Sequence, residues 1–236
     1  VSYWYQEGSE GPFLVSFVIT LLLGLALWLP FFKHKEELQT RDGFLVVTLF
    51  WSVLGLIGAL PLYISNDVPV GFTDAVFESM SGLTTTGATI LSGIDFLPKS
   101  ILFYRQQLQW LGGMGVVVLA VAILPMLGVG GMQLYKAEIP GPMKDAKLTP
   151  RIAETAKALW LLYLFITVAC AVLYWAAGMT IFDAICHSFS TVATGGFSTH
   201  DASMAYWDNP WIDWTATLFI LIGGINFALH FAVWRG

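Results

Sequence analysis

The 236-residue chain is 56% hydrophobic and 15% aromatic, with only 11% charged residues, where a soluble domain carries about 25%. So few charges cannot solvate a globular surface, and with a mean hydropathy of +0.70 the chain is a membrane protein. A net charge of −5 from dispersed charges excludes a nucleic-acid footprint, and two cysteines, Cys170 and Cys186, both in apolar stretches, exclude a disulfide framework or thiolate metal cluster.

In chain order, the first apolar run is Phe13–Phe32, long enough to cross the bilayer. Its flank carries Glu7 and Glu10 instead of a basic region, so it is read as a retained helix and not a signal peptide. Lys33, Lys35 and Arg41 follow, then a second run, Phe44–Ser65. Thr73 to Thr85 has Ala75, Val76, Met80 and Leu83 at helical spacing but is too short to span about 30 Å of hydrocarbon. A third run covers Gln106–Leu134, a fourth Ala158–Phe182 and a fifth Trp214–Trp234, and none of the five runs contains Asp, Glu, Lys or Arg. The loop between the third and fourth holds Lys136, Lys144, Lys147, Arg151 and Lys157. Basic residues accumulate on the cytoplasmic side, so the N-terminus is expected outside and both basic loops inside. Only Lys99 and Arg105 among the basic residues then fall outside, and the outer face is acidic. Residue 1 is Val, and the last run stops at Trp234-Arg235-Gly236, so a longer natural chain is expected.

Sliding the sequence on itself exposes a repeat. Thr73 through Gly87 lies over Phe182 through Gly196, with Asp74, Ala75, Ser79, Ser81, Thr85 and Gly87 met by Asp183, Ala184, Ser188, Ser190, Thr194 and Gly196. Downstream, Leu111-Gly112-Gly113-Met114 is echoed by Ile222-Gly223-Gly224-Ile225. The predicted architecture is all-α integral membrane: two parallel repeats of helix, re-entrant pore loop and helix, with one extra N-terminal transmembrane helix. The boundaries are 1–42 for that helix and its basic loop, 43–134 for the first repeat, 135–150 for a cytoplasmic linker and 151–236 for the second repeat.

Each short segment must enter from outside as a half-helix, and the Thr/Gly run after it must be irregular backbone at membrane depth. Such backbone is tolerated only where it is buried in protein or lines water. Backbone carbonyls can replace a cation's hydration shell, glycine opens the backbone angles this needs, and threonine adds a hydroxyl oxygen. The candidate cation-binding residues are therefore Thr85, Thr86, Gly87 and Ala88 in one loop and Thr194, Gly195, Gly196 and Phe197 in the other, with Thr85, Thr86, Thr194 and Gly195 holding the ion by their carbonyls. The negative end of each half-helix favours a cation, and Asp74 and Asp183 either complement its positive end, the preferred reading, or attract cations from outside.

At this level the loops, Glu78 to Thr89 and His187 to Ser198, resemble the first two pore loops of the TrkH/KtrB potassium-uptake family. Tyr104-Arg105-Gln106, Gln109 through Gly115 and Lys136 through Pro142 extend the likeness, which runs from about Lys33 to the end and points to the TrkH branch. The resemblance implies four such repeats around one potassium path, of which this sequence holds the first two. It also implies a homodimer of complete pores in a bacterial inner membrane, regulated by a cytoplasmic nucleotide-binding ring like TrkA. Both loops depart from the strict channel signature Thr-Val-Gly-Tyr-Gly, which suggests weaker discrimination of potassium from sodium. No cofactor is expected; the potassium ion is cargo.

Other residues carry open readings. Gly112, Gly113, Gly223 and Gly224 serve close helix packing or act as hinges, with packing preferred. Asn226 faces the water path or bonds another helix. Arg105 either snorkels to the interface or pairs with an acid such as Glu78, and His187 makes an interior polar contact near the loop. Trp207, Trp211 and Trp214 read as an interfacial belt. The proline-containing basic loop suits solvation, ring docking or anionic lipid. Competing functions are sodium- or proton-coupled symport in the same fold, a non-conducting scaffold, and a membrane enzyme built on Cys186, His187 or His200 with Asp201. The enzyme lacks a HExxH pair and a GxSxG elbow, and adjacent Cys186 and His187 diverge by about 100° on a helix.

Overall fold

The computed structural model describes residues 1–32, 40–118 and 148–225, and among them every regular element is helical. Asn226 and most of the basic loop after the third run, with its proposed ring-docking and lipid roles, lie outside the described residues. A short helix α1 (Ser2–Tyr5) precedes α2 (Glu10–Trp28), followed by α3 (Thr40–Gly58) and α4 (Leu60–Ile64). The first short helix is α5 (Phe72–Leu83) and its exit helix α6 (Lys99–Val118). The second repeat is α7 (Leu148–Ala176), the short α8 (Ile181–Val192) and the exit helix α9 (Pro210–Gly224). Glu10–Trp28, Val47–Ile64 and Lys157–Ala176 are long and apolar enough to cross a membrane. The 12-residue α5 and α8 are not, since each spans about 18 Å.

Sequence patterning and structure differ at helix starts: α7 begins at Leu148 where the apolar run begins at Ala158, and the third and fifth helices also start early. The apolar run places the third helix at Gln106, yet α6 begins at Lys99 and carries Arg105 inside its body. A run defined by lack of charge cannot include an arginine whose charge is answered from another element. The fifth helix likewise starts at Pro210 and not Trp214, because Asn209 caps it by accepting from the Trp211 amide at 3.0 Å and Pro210 suits the first turn.

Helix α6 is the hinge point of the packing: it contacts α5 of its own repeat and both α7 and α8 of the next. Trp110 carries that contact. Its ring stacks on Phe189 at 5.1 Å, its indole NH donates to Thr167 Oγ1 at 3.1 Å, and its carbonyl accepts from the Tyr163 hydroxyl at 3.0 Å. Leu159, Tyr163, Cys170, Tyr174, Ala184 and Ile212 form the core of the second repeat, and Ala59, Leu62, Val68, Ala75 and Ile101 that of the first. The N-terminal segment is tied to this frame at the start of α6, where the orphan amides of Lys99 and Ser100 donate to the Glu7 carboxylate at 2.7 and 3.1 Å.

Candidate functional site

Both short helices end the same way. At the end of α5 the Thr85 amide donates to the Gly82 carbonyl at 3.0 Å and the Thr86 amide to the Ser81 carbonyl at 2.9 Å. At the end of α8, Thr194 donates to Thr191 at 3.0 Å and Gly195 to Ser190 at 2.8 Å. This is the Schellman pair of bonds, in which the left-handed position normally belongs to glycine. Here it belongs to threonine twice, at φ 54° for Thr85 and 53° for Thr194. A β-branched residue in that region costs of order 1–3 kcal/mol. Gly87 (φ 76°) and Gly196 (φ 90°) return to positive φ two residues later, while Thr86 and Gly195 do not. The two loops thus follow one alternating backbone path.

The loops also touch. A Cβ on Gly87 would lie 1.8 Å from the Gly195 carbonyl oxygen, so glycine is required there by a backbone neighbour from the other repeat. A Cβ on Gly196 would meet nothing within 4 Å. Of the candidate ion-binding residues, Thr86, Ala88, Thr194 and Gly196 are exposed, Thr85 and Gly87 half-buried, and Gly195 and Phe197 buried.

Behind the loops lies a buried polar frame. Arg105, fully buried on α6, donates from Nε to Glu78 Oε1 at 2.7 Å, from Nη2 to Thr89 Oγ1 at 3.0 Å and from Nη1 to the Ser198 carbonyl at 3.3 Å. Its guanidinium sits 4.4 Å from the centre of the Phe197 ring. Glu78, 1% exposed, also accepts from the Thr89 hydroxyl at 2.9 Å and the Ile90 amide at 3.1 Å. Pairing with Glu78, not snorkelling, is what the structure shows. In the second repeat His187 stands at the position of Glu78, with Nε2 3.0 Å from Ser198 Oγ and Nδ1 2.9 Å from the Asp183 carbonyl.

Several contributors carry no strong signal in the sequence. Gln109 accepts from the Phe197 amide at 3.2 Å and fills the space behind Gly195. Ser81 donates to the Ala88 carbonyl at 2.6 Å, and its counterpart Ser190 accepts from the Gly196 amide at 2.9 Å. The repeat alignment pairs those serines, and it pairs Thr89 with Ser198, which was the available clue. Nothing in the sequence joins Asp95 to His200, yet the two bond, and the Asp201 amide donates to Asp95 at 3.2 Å. Thr180 caps α8: its hydroxyl accepts from the Asp183 amide at 3.1 Å and donates to the Asp183 carboxylate at 2.6 Å, which also accepts from the Thr199 hydroxyl at 2.7 Å.

Three of the four paired glycines leave no room for a side chain. A Cβ on Gly112 would lie 1.9 Å from the Leu83 carbonyl oxygen and one on Gly223 2.6 Å from the Val192 carbonyl oxygen, the last helical residue of the short helix in each repeat. Gly113 is closed by the Tyr163 hydroxyl at 2.7 Å, whereas Gly224 has nothing within 4 Å. Trp211 and Trp214 are exposed, but Trp207 packs edge-on against His187 and His200 and so belongs to the protein frame. Cys186 and His187 are both buried, and no cluster of metal-ligating side chains occurs among the described residues.

These features define an integral membrane protein of helix, pore loop and helix repeats of the potassium-channel type. The chain belongs to the TrkH family of cation transport proteins, which matches residues 10–235. It is 62% identical over 232 residues to the Trk system potassium uptake protein TrkH of Vibrio parahaemolyticus, covering 98% of this chain and 48% of that protein. It is 47% identical to the Trk system potassium uptake protein TrkG of Escherichia coli, covering 99% of this chain and 48% of that one. The crystal structure of the potassium transporter TrkH from Vibrio parahaemolyticus superposes with a TM-score of 0.87 at 55% identity, covering all of this chain and 47% of that one. The chain spans about half the length of these relatives.

Proposed function

We propose that this chain supplies the first two of four pore repeats of a potassium-uptake pathway. The observation that carries the proposal is the paired loop: two Thr/Gly segments with matched left-handed residues, in backbone contact, each at the negative end of a short helix. Alternating backbone hand turns successive carbonyls toward one side of a strand, which is what a dehydrated cation requires. The half-filter consists of the carbonyls of Thr85, Thr86, Gly87 and Ala88 with those of Thr194, Gly195, Gly196 and Phe197. The ion is assigned from the relatives, which carry potassium uptake in their names.

In this reading the chain lies in a bacterial inner membrane with its N-terminus and both pore-loop entries outside, and the repeats run over 43–134 and 151–236. The complete protein forms a homodimer and answers to a cytoplasmic nucleotide-binding ring. Conduction is passive and gated: among the described residues the two buried carboxylates are both committed, Glu78 to Arg105 and Asp183 to the hydroxyls of Thr180 and Thr199, and neither is offered to a proton relay.

The test is growth on limiting potassium and rubidium uptake by the full-length natural protein in a host without its own uptake systems. Alanine at Gly87 should abolish low-potassium growth at normal membrane levels. Rescue unaffected by substitution at both Gly87 and Gly196 would remove the loops from the path.

A further inference from the structure

Arg105 does more than neutralise Glu78. A buried ion pair is often replaceable by apolar residues of the same volume without loss of stability, so pairing alone does not explain an arginine here. What an apolar pair could not reproduce is the fan of donors. Nε meets Glu78, Nη2 meets the Thr89 hydroxyl just after the first loop, and Nη1 meets the Ser198 carbonyl just after the second. The guanidinium carbon lies over the Phe197 ring, 4.4 Å from its centre. Only a planar fork offers three such directions at once. The second repeat has no equivalent cation: when the double glycines are aligned, Arg105 falls over Ala216, and His187 with Ser198 does the local bracing without a formal pair. One side chain therefore braces both loops.

We infer that Arg105 is a positioning residue for ion selection, holding the two filter loops at a set separation through Glu78 and Thr89 on one side and Ser198 and Phe197 on the other. This rests on the potassium-path reading above. A loosened frame lets the carbonyls close around a smaller ion, so the signature of its loss is altered discrimination, not simply less transport.

The experiment is rubidium uptake by the full-length natural protein in a host lacking potassium uptake, measured as KM and maximal rate per membrane-inserted protein, with sodium as competitor. Arg105→Gln should raise the KM for rubidium and weaken discrimination against sodium by roughly tenfold, with the maximal rate changed far less. Arg105→Lys keeps a charge for Glu78 but only a point-like one, and should show the same loss of discrimination to a smaller degree. If neither variant reaches the membrane, Thr89→Val carries the test, since it removes the hydroxyl between Arg105 and Glu78 and no charge; a smaller shift of the same kind supports the inference. Wild-type KM and sodium discrimination in any of these variants at normal membrane level, or a fall in maximal rate alone, overturns it. Absence of uptake by the unsubstituted protein would overturn the potassium-path reading and this inference with it, whereas uptake with unmoved variants overturns this inference alone.

Discussion

The two repeats reach one backbone path by different chemistry. In the first, a carboxylate, Glu78, and a guanidinium, Arg105, brace the returning chain. In the second, an imidazole and a hydroxyl, His187 and Ser198, do so. The φ angles at Thr85 and Thr194 nevertheless agree within one degree, and both short helices close with the same pair of carbonyl bonds. Side chains behind the loops were free to change and the backbone was not, as expected if carbonyls are the working groups. Contacts within the chain differ as well: Gly87 is pressed against the carbonyl of Gly195, while Gly196 meets no neighbour from these two repeats.

That last difference gives the largest expected effect. Gly87→Ala combines a steric collision with a backbone neighbour and a left-handed alanine, together about 3 kcal/mol or more, and should lower rubidium uptake by the full-length protein roughly a hundredfold. Within this half of the proposed pore Gly196→Ala meets only the conformational penalty of about 1 kcal/mol, and if no further repeat closes on it should lose less than tenfold. Equal losses would show that Gly196 meets an equally close neighbour in the complete pore.

Next comes the frame. Glu78→Gln leaves a buried arginine without its counter-charge and should cost about 3–5 kcal/mol, read as a fall in the thermal midpoint of the detergent-solubilised protein. His187→Gln removes at most a neutral hydrogen bond or two and should cost about 1 kcal/mol. A reversed order would mean the ionic brace is not the stronger of the two.

A smaller pair of effects concerns the exit helices. Gly112→Ala would drive a methyl into the Leu83 carbonyl and should lower membrane levels, with Gly223→Ala milder because its nearest carbonyl is farther, at 2.6 Å against 1.9 Å. Gly224→Ala should be silent, within about 0.5 kcal/mol.

The smallest effect joins the two loops on the far side of the site. The hydrogen bond from His200 holds the Asp95 carboxyl below its ordinary value. A carboxylate with a depressed folded-state pKa contributes stability that is complete above its unfolded value and is lost as pH falls through the folded one. The thermal midpoint should therefore drop slightly more in the wild type than in Asp95→Asn on acidification below about pH 4. The effect is small because Asp95 is exposed. Parallel curves would show that the contact carries no stability.

Much of this was legible without coordinates. The short helices, expected near Thr73 to Thr85 and its repeat, appear at Phe72–Leu83 and Ile181–Val192, because helical spacing and the Thr/Gly break are local signals. The double glycines read as packing residues, and at three of the four an added Cβ would collide with a neighbour. Missed were the start of α6, the place of Trp207 and the bond between Asp95 and His200. Each depends on residues far apart in the chain: Arg105 is admitted into a helix by Glu78, Trp207 is drawn inward by two histidines, and Asp95 meets a loop 105 residues later.

The sequence by itself determined the membrane, the two repeats and the irregular Thr/Gly segments, since hydropathy, periodicity and self-similarity are written along the chain. Only the tertiary structure decided that Gly87 abuts Gly195 and that one arginine serves both loops. The reason is physical: a close approach or a buried charge is permitted by what lies opposite it, and the chain order does not say what that will be.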